Sequence, residues 1–186
     1  YDSTSKLKFS GYIDTYYALY ADKPGKNGFA KFPTASPRNN QIGLNIVQFS
    51  VKYTTNRVRA VASVFFGDVS KAVWSPKFNF IQEAHAGVRL VKKLWLDVGF
   101  FRTHFGLESI QPRENITSSF ALSSYFGPYY MSGAKLTWEQ SKKWSFQVNV
   151  FNGFNTFVET NKNKAFGFSI AYNPNIHWSH TLNSMV

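Results

Sequence analysis

Hydrophobic and polar side chains alternate one by one through residues 79–101. On the first arm Phe80, Ala84, Ala86, Val88 and Leu90 share a phase, interrupted only by Gln82, while Ile81, Glu83, His85, Gly87 and Arg89 hold the other. A basic turn at residues 91–93 follows, and Leu94, Leu96, Val98 and Phe100 then alternate with Trp95, Asp97, Gly99 and Phe101. A period of two predicts β-strands, because successive side chains leave a strand on opposite sides. Each arm runs to about ten residues, the length of a tilted strand that crosses a bilayer. One face is apolar and the other mixes opposite charges with glycine, the pattern of a barrel hairpin between lipid and a wet lumen.

The same alternation recurs along the chain. Strands are predicted over residues 7–20, 41–53, 57–67, 79–90, 94–101, 129–139, 144–154 and 164–172, with the start of a ninth at 176–184. In the second, the apolar phase runs Ile42, Leu44, Ile46 and then Val47, Phe49, Val51, Tyr53, so it slips at Ile46–Val47 and predicts a β-bulge there. Between the fifth and sixth strands lies the longest connection, rich in Gly, Pro, Ser and Asn. Within it Arg113 and Glu114, in the stretch 111–115, are candidates to fold into a mouth, as long loops on a barrel can. The fold class expected is all-β: an antiparallel up-and-down barrel, with residues 1–186 one barrel domain or part of one.

Two regularities turn this sheet towards a membrane. Connections after strands two, four, six and eight are short, and those after one, three, five and seven longer, as short periplasmic turns and longer extracellular loops require. Aromatics also gather at strand ends on the apolar phase: Tyr53, Trp138, Trp144 and Tyr172 by the short turns, and Phe66, Phe80, Phe100, Tyr130, Phe154 and Phe166 by the long loops. Such rings favour the membrane interface, where an apolar body is buried and an edge or polar tip stays wet. The competing fold is a soluble sandwich or lipocalin-like barrel with the same apolar face turned inward.

Composition narrows the functions. Of 186 residues 18% are aromatic, and no cysteine is present, which excludes a disulfide framework and thiolate metal sites. The net charge of +11 suits nucleic acid, anionic headgroups or an anion-attracting pore. The basic residues are dispersed and match no nucleic-acid motif, so nucleic acid is not an expected partner. Neither a metal nor any other cofactor is expected, since the histidines are isolated from further ligands.

Several stretches together resemble the OmpL-like family of β-barrel porins. They are FSGYIDTYYALY (9–20), IQEAHAGVRLVKKLWLDVGFF (81–101), HFGLES (104–109), PYYMSGAKLTW (128–138) and NKNKAFGFSIAYNP (161–174). The resemblance implies a bacterial outer-membrane barrel acting as a porin, with no catalytic residues to carry over.

The expected function is passive diffusion of small, preferentially anionic solutes across that membrane. The lining would come from the charges on the polar phase: Arg57, Arg59, Glu83, His85, Arg89, Asp97, Lys135 and Glu139. Two other classes compete. One is a structural barrel that transports nothing and is assembled with other outer-membrane subunits. The other is a small barrel enzyme built on His104 with Ser118, Ser119, Ser123 or Ser124, for which no motif fixes a nucleophile–base geometry. Single-chain bacterial barrels close with an even strand number, so eight strands and the start of a ninth predict the N-terminal part of a larger wall.

Overall fold

The computed structural model describes residues 6–31, 34–106, 108–159 and 161–186. Nine strands form one antiparallel meander in which each pairs with the next: β1 (Lys6–Ala18), β2 (Gln41–Thr54), β3 (Val58–Phe66), β4 (Ile81–Val91), β5 (Leu94–Arg102), β6 (Tyr130–Trp138), β7 (Trp144–Phe151), β8 (Ala165–Tyr172) and β9 (His180–Met185). A short helix, α1 (Asp68–Val73), follows β3. The sheet is not closed: β8 pairs with β9, and β1 and β9 stand at its edges. β9 begins later than alternation suggests, because Asn175 Oδ1 accepts from the amides of His177 and Trp178 and holds that stretch in a turn.

Burial is inverted relative to a soluble protein. Phe9 is 74% exposed, Ile42 82% and Val148 55%, while Gln82 and Asp97 on the opposite face are fully buried. Burying polar groups and exposing a continuous apolar wall costs free energy in water. It is the arrangement expected when the outer solvent is hydrocarbon. The soluble alternative, with this face turned inward, is not the fold adopted.

Three register shifts interrupt the described sheet; one lies at Arg89–Val91 beside the β4–β5 turn, and the other two reset the alternation within strands. Asp14 pairs with Ile46 and Thr15 with Leu44, so Asn45 is the extra residue of β2. The slip expected at Ile46–Val47 therefore falls one step earlier, and Ile46 turns from the apolar wall into a buried cluster with Phe65, Trp74 and Tyr130. Asn45 Nδ2 donates to Asp14 Oδ2 at 2.6 Å, which occupies the side chain that the bulge turns inward. Gln82 is the second extra residue, between the pairs Ser63–Glu83 and Val64–Ile81. That explains why it alone interrupts the apolar phase of its strand: its Oε1 accepts from Ser63 Oγ at 3.0 Å.

Gly99 pairs with Gly133 in the middle of the sheet, at φ +139° and +155°. A Cβ on Gly133 would lie 2.1 Å from the Val150 carbonyl oxygen, so neighbouring backbone comes closer than any side chain allows. Gly133→Ala is expected to lower unfolding stability by about 1–3 kcal/mol from backbone strain alone. Gly127→Ala, whose Cβ would meet nothing nearer than 3.6 Å, should be close to neutral. Urea titration of both variants in detergent micelles checks the difference.

Loops cover the long-loop end of β5 and β6. Phe100 pairs with Ser132 and Arg102 with Tyr130, which puts Phe100 and Tyr130 on the phase of exposed Val98. Yet the Phe157 ring lies 4.3 Å from both, Trp74 lies 4.5 Å from Tyr130, and Ser132 Oγ reaches the Phe157 carbonyl at 2.9 Å. Tyr130 is thus buried in the same cluster as the inward-turned Ile46 and Phe65, with Phe100 packed against it, so neither stands in a surface belt as expected. Tyr53, Phe66, Phe80, Trp138, Trp144, Phe154 and Phe166 are exposed at strand ends or just beyond them, and Tyr172 stacks on Trp144 at 4.3 Å.

Candidate functional site

The polar face is organised as a row that crosses the whole sheet: Lys6, Thr54, Arg59, Gly87, Asp97, Lys135, Asn149, Gly167 and Met185 are successive partners from β1 to β9. Arg59 reaches Asp97 over Gly87, which lies between them in the row. A Cβ on Gly87 would fall 2.1 Å from Asp97 Oδ1, so the bare backbone is what leaves room for the pair. The Arg59 guanidinium donates through both Nε, at 2.6 Å to Oδ1, and Nη2 to Oδ2, a two-pronged pairing that fits a planar fork to a carboxylate. Its Nη1 reaches Glu139 at 3.4 Å.

Trp95 is flanked by two cations, Arg59 at 4.5 Å and Arg89 at 4.7 Å from its ring. Lys135 Nζ lies 4.4 Å from the centre of the Phe101 ring. Glu83 pairs with Arg102 at 3.1 Å and lies 3.9 Å from His85 Nε2, and Arg102 also approaches Glu114 at 3.9 Å. Of the residues nominated from sequence, Arg59, Asp97 and Glu139 therefore form one network and Glu83 and His85 a second. Arg57 and Arg89 make no ion pair among the described residues.

The long connection over residues 103–129 lies across this face. Gln111 Nε2 donates to Gln48 Oε1 on β2, and the chain continues from Gln48 to Ser50 at 2.8 Å, to Ser63 at 2.6 Å and to Gln82. Arg113 sits 4.6 Å above the Tyr12 ring on β1. At the other side His104 Nε2 lies 3.4 Å from the Ser184 carbonyl on β9, and burial holds its pKa below the ordinary histidine value. One loop thus touches both β1 and β9; of the two residues nominated for a mouth, Arg113 lies over Tyr12 and Glu114 approaches Arg102, while Gln111 was not singled out from sequence. Arg102, Gln48 and Gln82 were not singled out as site residues; the break in phase at Gln82 was their one visible signal.

Of the serines and histidine named for an enzyme reading, Ser124 and His104 have other partners. Ser124 Oγ donates to Glu108 at 2.6 Å, whereas His104 is engaged with β9.

An antiparallel wall with an apolar outer face, a hydrogen-bonded polar inner face, short turns at one end and long loops at the other defines the transmembrane β-barrel class. Over residues 6–186 the chain matches the family described as "Putative beta-barrel porin-2, OmpL-like", and it belongs to that family. Membership implies association with a lipid bilayer and points to the outer membrane. No curated protein and no solved structure matches the chain.

Proposed function

We propose that this chain forms the wall of a porin that passes small solutes by diffusion and favours anions modestly. The observation that carries the proposal is the polar face itself: a continuous charged and amide-bearing surface under a loop, backed by an exposed apolar wall. Arg57, Arg59, Glu83, His85, Arg89, Asp97, Lys135 and Glu139 are its lumen charges, and the exposed aromatics at the strand ends mark the two membrane interfaces. The modest size of the bias follows from the pairing: in the centre Asp97 offsets Arg59, and Glu83 with Glu114 offsets Arg102. The excess of positive charge lies outside those pairs. Among the described residues the short-turn end carries Lys6, Lys8, Lys52, Arg57, Arg89, Lys92, Lys93, Lys142 and Lys143 against one carboxylate, Glu139.

Reversal potentials of the full-length protein in planar bilayers under a KCl gradient test this. Anion preference is expected at low salt, shrinking towards 1 M, where the screening length falls to about 3 Å. Cation preference at low salt would overturn the anion assignment, and absence of conductance would favour a barrel that transports nothing.

A further inference from the structure

The charges of the polar face are not spread evenly. Along β7–β9 that face is uncharged, with Gln147, Asn149, Ser169 and Asn183 among its side chains. Across β3–β6 the charges are largely paired, as described above. At the short-turn end of β1–β4, however, Lys8, Lys52, Arg57 and Arg89 are all exposed and have no carboxylate partner among the described residues.

Lys8 and Lys52 are direct cross-strand partners. Opposed side chains of this kind start only about 4.5–5.5 Å apart at Cβ, and two like charges so placed destabilise the bare sheet. Arg57 and Arg89 are neighbours in the same way, the amide of Arg89 donating to the Arg57 carbonyl at 2.9 Å. Arg89 is held over Trp95, a contact that positions its guanidinium without neutralising it. Lys92 joins both arginines in lining one open cavity at the strand ends.

We propose that this strip is a recruitment site for small solutes carrying two or more anionic oxygen groups, phosphate or carboxylate, at the short-turn mouth. The assignment deepens the porin reading and rests on it. A single halide offsets one cation, whereas a polyanion bridges the two cations of a pair, Lys8 with Lys52 or Arg57 with Arg89, and relieves the repulsion within that pair. Guanidinium forks suit such groups because they donate in pairs to planar or tetrahedral oxyanions. Bilayer headgroups offer the same chemistry, but Lys8 and Lys52 stand on the phase of buried Ser50, opposite the exposed Phe9 and Phe49. The strip therefore turns away from the apolar wall, and a soluble anion is its ligand.

Calorimetric titration of the full-length protein with sodium pyrophosphate at low salt, in phosphatidylcholine nanodiscs, tests the site. Binding is expected, and Lys8→Gln combined with Lys52→Gln, or Arg57→Gln alone, should weaken it by about tenfold or more, the loss expected of charge-assisted contacts. Lys23→Gln with Lys26→Gln, in the loop after β1, should leave it unchanged. A heat-modifiable gel shift confirms folding, and since Lys8→Gln by itself removes a repulsion, that variant supplies the measurement if the double variant does not fold. No binding, or equal binding by wild type and strip variants, would overturn the inference while leaving conductance and its selectivity to judge the porin reading. Pyrophosphate affinity that collapses in phosphatidylglycerol nanodiscs would show that the strip holds lipid headgroups and would overturn it as well.

Discussion

Asp97→Leu is expected to destabilise the wall by about 3–5 kcal/mol, the cost of removing one partner from a buried ion pair. Asp97 is fully buried and receives both prongs of Arg59, so its loss strands a guanidinium against Trp95 with only the weaker contact to Glu139. The low end of that range is the better estimate, because the Arg59 side chain keeps 24% of its surface exposed and water can reach it. Arg59→Leu added to Asp97→Leu should restore most of the loss, since the pair is then removed together and no charge is left uncompensated. Gly87→Ala should act in the same direction without touching a charge, because its methyl would occupy the space of the Asp97 carboxylate. Urea unfolding in lipid vesicles measures all of these. Equal stability of Asp97→Leu and wild type would show that the pair is ornamental; a double variant no better than the single would show that packing around Asp97, and not its charge, is what the wall requires.

The elements legible in the sequence were those governed by local periodicity. Alternation places all nine strands in order, and the unequal connections mark which end carries the loops. The faces follow from the same period, since one residue's step decides between the two sides. What alternation does not carry is contact between distant segments. Tyr130 alternates as a surface residue would but is buried with Trp74 and Phe157, which belong to two different loops. Gln111 meets Gln48 across 63 positions and His104 meets Ser184 across 80, and nothing in the local pattern of either residue specifies those partners. The bulges lie between these cases. Gln82 is visible as a polar residue in an apolar series, but the register of β3 is needed to show that it is an inserted residue.

The same distinction decides how the membrane-facing wall is best tested. Val148 stands near the middle of β7 on the exposed apolar face, between Leu136 of β6 and Phe168 of β8. If hydrocarbon covers that face, Val148→Arg should cost about 2–4 kcal/mol of folding stability near the bilayer midplane, because the guanidinium must either lose its hydration or drag water inward. Alternation alone would nominate Asn149→Arg as the mild control, but Asn149 is buried, follows Lys135 directly in the row across β5–β8, and shares the crowded space around Gly167 with His104. Gln147→Arg is the better comparison. It lies on the same polar face, its direct partners Thr137 and Ser169 are uncharged, and the side chain is only half-buried. Reversible unfolding from vesicles of matched thickness should therefore separate the two arginines by well over 1 kcal/mol, a gap that follows from the depth-dependent cost on the lipid side and tolerance on the lumen side. An equal effect at both positions would mean that the two faces meet the same solvent, and the membrane assignment of this wall would fall.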